Sequence, residues 1–303
     1  MEMRLLLLVF QIMSNKDRFM KKLLVALLLI FGAFIGLIVL MGALAFLVPE
    51  WTNSTGGLLF MQGFQTIVLF GVTAIVGVWF TEKRVNPFKQ MSLNVGLGVK
   101  QGLIALFFAV AALPVISMLA EWNKGIELPS FLASMEEMMR EMEESSKVLT
   151  ERFLNTTSVG RMFVNLLVMA MLPAVCEEMM FRGWLQRVLG KTVNYHTAIW
   201  VSAFVFSAIH FQFYGFIPRM LIGAALGYLY CYTGSLWAPI IAHFTNNAVA
   251  VVVAFLTYNG YTSIDFELIG TGNTWYLSVA SVAVCMALMV RLKGMDDSSY
   301  DNV

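Results

Sequence analysis

A chain of 303 residues that is 59% hydrophobic and only 13% charged, with a mean hydropathy of +0.75, lies far outside the composition of a soluble domain. Its net charge of +1 leaves no electrostatic footprint for nucleic acid, and no basic stripe interleaved with aromatics occurs, so nucleic acid is set aside as a partner. What remains is an all-α polytopic transmembrane helical bundle.

In chain order, Leu5 to Ile12 is an apolar run too short to span a bilayer, and a basic patch of Lys16, Arg18, Lys21 and Lys22 follows it. Met13 and Met20 are alternative starts to Met1. Leu23 to Val48 then runs for about 26 residues without a charge before Glu50, too long for the apolar core of a signal peptide, and reads as a retained first span. Further apolar runs follow at Leu58–Phe80, Gly98–Ala120, Val159–Phe181, Thr197–Phe213, Phe216–Tyr232, Leu236–Thr257 and Trp275–Val290, giving about eight spans. Between spans 3 and 4 lies a long polar segment, Glu121 to Ser158. Its interleaved Glu136, Glu137, Glu141, Glu143 and Glu144 with Met135, Met138, Met139 and Met142 suit a helix or two on or over the bundle, most simply a solvated acidic helix.

The charges on the connections alternate. The N-terminal patch, Lys83/Arg84/Lys89, Arg182/Arg187/Lys191 and Arg291/Lys293 fall on one side, and Glu50 and Asp265/Glu267 on the other, which by the positive-inside rule puts both termini in the cytoplasm. The expected organisation is a cytoplasmic tail (1–22), spans 1–3 (23–120), a non-cytoplasmic polar segment (121–158), a four-span core (159–257), and a last span with its cytoplasmic tail (258–303). The cysteines Cys176, Cys231 and Cys285 fall in separate apolar runs with no CxxC spacing and read as helix-packing residues.

The polar inventory inside the spans is short. Glu177 and Glu178 close the run from Val159, and an ionised group at that depth costs at least ~2.5–3.5 kcal/mol unless it has a partner, water or a task. Glu178 and Arg182 stand four apart on one helix face and can pair. Glu177, rotated from that face by about 100° and with Phe181 at its i+4 place, is free for other work in a drier setting. Of three histidines, His196 reads as a loop residue. His210 stands one turn after Phe206 and His243 one turn before Asn247, both inside apolar runs.

These residues serve two chemistries. A carboxylate and an imidazole can activate a water while an imidazole and an amide donate to the oxyanion of an attacked carbonyl, which is amide hydrolysis. Alternatively Glu177, His210 and His243 are candidate ligands for zinc or another divalent metal that would acidify the water itself. There is no HExxH pair and no Gly-x-Ser-x-Gly elbow, so covalent catalysis is the weaker reading. Asn247 suits an oxyanion donor better than a zinc ligand, which leans the reading toward water activated without tightly bound metal.

Three motifs then stand in order on three expected spans: Glu177-Glu178-Met-Met-Phe-Arg182, Phe206-Ser-Ala-Ile-His210 and His243-Phe-Thr-Asn-Asn247. The set resembles the CAAX-protease and bacteriocin-processing (CPBP, or Abi) family of intramembrane proteases, whose motifs are EExxxR, FxxxH and HxxxN. The likeness covers roughly Val159 to Val253, and the stretch Thr233-Gly234-Ser235-Leu236-Trp237-x-Pro239 looks bacterial. The resemblance implies that Glu177 and His210 activate water, that His243 and Asn247 stabilise the oxyanion, and that Glu178, Arg182 and Phe206 support the site. It implies a metalloprotease or glutamate-type endopeptidase of a bacterial cytoplasmic membrane, acting on membrane-embedded or lipidated peptides. The alternative from another class is a non-enzymatic immunity or scaffold protein, or an ion-coupled transporter using the same buried charges. One tension arises within the expected spans: counted at ~1.5 Å per residue, His210 falls nearer the non-cytoplasmic side than Glu177 or His243, as though the fifth span were misplaced or tilted.

Overall fold

The computed structural model describes residues 2–82 and 85–295, and all regular structure among them is helical. Lys83 and Arg84, which carry part of the charge alternation, the alternative start at Met1 and the tail from residue 296 lie outside the described residues. Helix α1 (Glu2–Leu47) is continuous, so most of the stretch expected as an N-terminal tail extends the first helix. After it come α2 (Thr55–Thr81), α3 (Val99–Lys124), α4 (Ala133–Leu154), α5 (Val159–Gly190), α6 (Tyr195–Ala208), α7 (Phe216–Thr233), α8 (Trp237–Tyr258) and α9 (Trp275–Lys293).

Among the described residues six helices are long and apolar enough to cross a membrane: the Leu28–Leu47 part of α1, and α2, α3, α5, α8 and α9. The chain is a multi-pass membrane protein. The fifth and sixth expected spans are the two shorter helices, α6 and α7. Helix α6 has 14 residues, ~21 Å at ~1.5 Å per residue, against a hydrocarbon core of ~30 Å. Helix α7 has 18 residues and carries Arg219 in its first turn. The two form a hairpin packed side by side within the bundle.

Helix α6 starts where Asn194 caps it, its Oδ1 accepting the Thr197 N–H at 2.9 Å. It stops at Ala208, five residues before the apolar run does, with Phe211 left-handed (φ 54°) and the Ser207 hydroxyl donating to the Phe216 carbonyl at 2.7 Å across the turn. This resolves the tension over His210. The residue sits in the turn just past a short helix, not one turn from the far end of a full span.

The core is built around α5. Met180, Phe181, Trp184 and Leu185 are buried against Leu69, Phe70, Ala74 and Val78 of α2. Gly77 admits the Trp184 ring so closely that a Cβ there would lie 2.4 Å from it, and the Trp184 indole N–H reaches Thr81 at 3.1 Å. Helix α5 is not uniform. Pro173 has no N–H to give the carbonyl of Met169, and the backbone before it widens into π turns over Leu166–Met171. A second π stretch, Met179–Gln186, follows directly on the two glutamates. Such turns concentrate at functional sites.

The polar segment forms one helix, α4, fastened at both ends. Phe153 is buried beside Leu59 and Val168, and its carbonyl accepts from Asn165 at 2.7 Å. At the other end Glu136 accepts from the Leu128 N–H at 2.9 Å, from Arg140 at 2.6 Å and from the Tyr214 hydroxyl at 3.4 Å. The Arg140 hydrogen bond, and then that of Leu128, hold the Glu136 carboxyl below its ordinary range. Arg140 also lies over the Tyr214 ring at 4.6 Å, so α4 grips the α6–α7 turn that follows His210. The opposite end of the bundle is closed by the loop at 91–95. There the Ser235 hydroxyl donates to Val95 at 2.7 Å and the Trp237 indole to Leu93 at 3.0 Å.

Candidate functional site

Helices α5, α6 and α8 each contribute one of the three motifs, and the bundle brings them together. Glu178 is fully buried and Arg182 is 1% exposed. One oxygen of Glu178, Oε1, accepts from Arg182 Nη1 at 2.6 Å and from His243 Nδ1 at 2.8 Å, while Oε2 has no protein partner. A charge pair this dry survives only with its remaining donors satisfied. Arg182 Nη2 donates to the Gly223 carbonyl of α7 at 2.7 Å, and its guanidinium lies over the Phe206 ring at 4.8 Å.

The contact with Glu178 sets the state of His243. A carboxylate paired with a guanidinium only accepts, so Nδ1 carries the proton and Nε2 turns toward Glu177, 3.9 Å from its Oε2. That separation is past a direct hydrogen bond, and one water can touch both groups. The same argument applies to His210. Its Nδ1 lies 2.7 Å from the Phe206 carbonyl, an acceptor only, which leaves Nε2 with a lone pair.

Phe206 is the hub between the two rings, edge-on to His210 at 5.1 Å and to His243 at 6.1 Å, with Phe181 against it at 5.0 Å. Asn247 stands one turn along α8 from His243. Asn246 Nδ2 donates to its Oδ1 at 3.4 Å, so the Asn247 NH2 keeps its hydrogens for another acceptor. His196 is elsewhere, exposed and bonded to the Tyr228 hydroxyl at 2.8 Å.

The family comparison decides how this cluster is classified. Residues 159–249 match the Rce1-like family, described as type II CAAX prenyl endopeptidase Rce1-like. That stretch is therefore similar to the CAAX-protease family. A curated relative, the uncharacterised protein YpbD of Bacillus subtilis (strain 168), is 34% identical over 93 residues, which is 29% of this chain and 45% of that protein. The chain thus spans under half the length of that relative. No solved structure matches.

Every motif residue, from Glu177 to Asn247, lies inside the matched stretch, whereas α1 to α4 and α9 lie outside it. Two features of this stretch escaped the sequence reading. The first is a ladder between α5 and α7. Gln186 Nε2 donates to the Gly227 carbonyl at 3.3 Å, one rung below the Arg182–Gly223 bond. Glycines let the helices approach this closely, since a Cβ at Gly227 would lie 2.7 Å from Gln186 Oε1 and one at Gly223 3.1 Å from Phe206. The four-residue glycine spacing was visible, but the backbone acceptors it exposes were not. The second is Arg219, a cation inside an apolar run, which a census of charges within the spans would have singled out.

Glu177, His210 and His243 are the candidate metal ligands of the matched stretch. Glu177 and His243 converge, and the bonds of His243 Nδ1 to Glu178 and of His210 Nδ1 to Phe206 leave each Nε2 as the nitrogen that could face an ion. Among the described residues no three His, Cys, Asp or Glu side chains are placed to hold a metal ion.

Proposed function

We propose that the chain is an intramembrane endopeptidase that hydrolyses peptide bonds of membrane-embedded or lipidated peptides with a water activated by Glu177. The observation that carries this reading is the division of the two adjacent glutamates. One is locked into Arg182 and His243, and the other faces the outer nitrogen of the same imidazole at 3.9 Å, past a direct hydrogen bond. Ionised Glu177 accepts a proton from water, and His210 Nε2 accepts the water's other hydrogen and orients the lone pair toward the scissile carbonyl. As the C–O bond forms, the oxyanion takes hydrogen bonds from the Asn247 NH2 and from His243 Nε2. That nitrogen donates when the ring is doubly protonated, the form that the Glu178 carboxylate partners. The proton held by Glu177 then passes to the leaving amine as the C–N bond breaks, giving an acid and an amine with Glu177 ionised again.

The test is a comparison of the membrane peptides that accumulate in cells carrying the intact chain and the Glu177→Gln form. The intact chain should deplete a discrete set of peptides that the variant leaves whole, and identical profiles would remove the hydrolase reading. No step of this mechanism passes through a metal. Purified protein should keep its cleavage activity after exhaustive chelation, and stoichiometric zinc whose removal and return switch activity off and on would replace the carboxylate-only mechanism.

Both termini are placed in the cytoplasm and α4 outside, following the charge alternation. A single cysteine at Ser145 of α4, in a cysteine-free background, should react with an impermeant maleimide in intact cells whose outer barriers are opened. Protection there with labelling only after lysis would invert the topology.

A further inference from the structure

His210 lies past the end of α6, so no helix fixes it. The chain runs on through Phe211, left-handed at φ 54°, to a short turn at Phe213–Gly215 and the start of α7 at Phe216. At His210 itself the backbone bond is long, 3.4 Å from its N–H to the Ser207 carbonyl. What holds the imidazole in place is therefore what holds the turn. Two ties are internal to the α6–α7 hairpin and move with it: the Ser207 hydroxyl on the Phe216 carbonyl at 2.7 Å and Arg219 Nη2 on Gln212 Oε1 at 2.6 Å.

A buried tie to the rest of the bundle comes from Asn123, in the last turn of α3. Its Nδ2 donates to the Phe213 carbonyl at 3.0 Å and its Oδ1 accepts from the Ile217 N–H at 2.9 Å, so one planar amide grips both sides of the turn. Ile217 stands in the first turn of α7, where N–H groups lack a partner within their own helix, and Gly215 before it has no side chain to cap them. Asn123 caps α7 from another helix. It is 1% exposed, so water does not compete for its amide.

Helix α3 also reaches the other histidine. Ile104, Ala105, Phe108 and Ala109 share a buried cluster with Ala238 and Ala242 of α8, the latter next to His243. Between that cluster and Asn123, Pro114 removes a backbone donor from α3, and the Ser278 hydroxyl of α9 donates to the Pro114 carbonyl at 2.8 Å. One helix, braced at its proline, thus runs from the helix of His243 to the turn of His210. Neither α3 nor α9 lies in the matched stretch.

Building on the endopeptidase reading, we propose that Asn123 is a positioning residue: acting through the backbone at Phe213 and Ile217, it sets where His210 stands beside the water that Glu177 activates. Asn123 itself touches neither water nor peptide. Misplacing a reacting group by ~1 Å costs on the order of 10²-fold in rate, and its loss should have an effect of that size.

The experiment compares the full-length protein with Asn123→Leu, which keeps the shape and removes both bonds, and with Asn123→Asp, which keeps the acceptor for Ile217 and loses the donor to Phe213. Cleavage of an apolar fluorogenic peptide is measured per folded molecule in detergent, giving kcat and KM. Isotope-labelled histidine NMR spectra of the same samples, assigned by replacing each of the three histidines singly, report the rings. Asn123→Leu should lower kcat by ~10²-fold with KM unchanged, and Asn123→Asp should fall between. The His210 resonances should move, while those of His243, bonded to Glu178, and of His196 hold. A lower thermal midpoint with unchanged kcat per folded molecule overturns the assignment, because a residue that only caps α7 would show that. So does a spectrum in which His210 does not move. If Asn123→Leu gives no monodisperse protein, Asn123→Asp decides by the same readouts. If the unaltered chain cleaves no peptide while the His210 signal still answers to Asn123, hydrolysis falls and the coupling stands. If it cleaves and both variants cleave equally well, the reverse holds.

Discussion

Glu177→Gln is expected to lower kcat for an apolar peptide by ~10²–10⁴-fold, the usual contribution of a positioned general base, with KM nearly unchanged. The amide is almost isosteric with the carboxylate, and Glu177 meets its ion-pair partner, His243 Nε2, only at 3.9 Å, past a direct hydrogen bond whose loss would disturb the fold. Folding should therefore survive. Cleavage is measured per folded molecule, with each sample normalised by its monodisperse size-exclusion peak. The companion variant makes the comparison decisive. If Glu178→Gln is well folded and dead while Glu177→Gln still cleaves, the roles are reversed.

The second large effect belongs to the buried pair. Arg182→Leu leaves Glu178 fully buried with only the His243 imidazole beside it, and breaking such a pair costs ~3–5 kcal/mol. It also removes a donor from the Gly223 carbonyl and the cation over Phe206. The detergent-solubilised variant should show a sharply lower thermal midpoint and a poor yield. Removing both charges, with Glu178→Gln and Arg182→Leu together, should recover much of that stability, because no naked charge is left. Activity should not return with it, because His243 loses the carboxylate that fixes its Nδ1 proton. Equal stability of the single and double variants would show that the pair is not coupled in this way.

How much of this was legible follows from which interactions are local. The Glu178–Arg182 bond is an i,i+4 contact and could be read from spacing. The joining of Glu178 to His243 links residues 65 apart in sequence, and nothing in either local pattern announces it. The early stop of α6 was hidden because Ile209, Phe211 and Phe213 continue the apolar run beyond Ala208, whereas the turn is set by hydrogen bonds to Phe206 and Phe216. Helix α4 was legible as a helix from its Glu and Met spacing. Its anchorage was not, since Phe153 and Glu136 find partners on α2, α5 and the α6–α7 turn.

The brevity of α6 has a consequence for the lipid around it. At ~21 Å the helix is shorter than the hydrocarbon slab by nearly a third, and a bilayer meets such a mismatch by thinning locally at a cost of fractions of a kcal/mol per Å. Lipid headgroups and their water are then expected to be drawn down along this flank toward the turn that holds His210. Acyl-chain length then sets how far an extended peptide must travel from the headgroup layer to Glu177. Turnover in reconstituted vesicles should be faster in short-chain phospholipids and slow as the chains lengthen, which makes membrane thickness itself an effector of this protein.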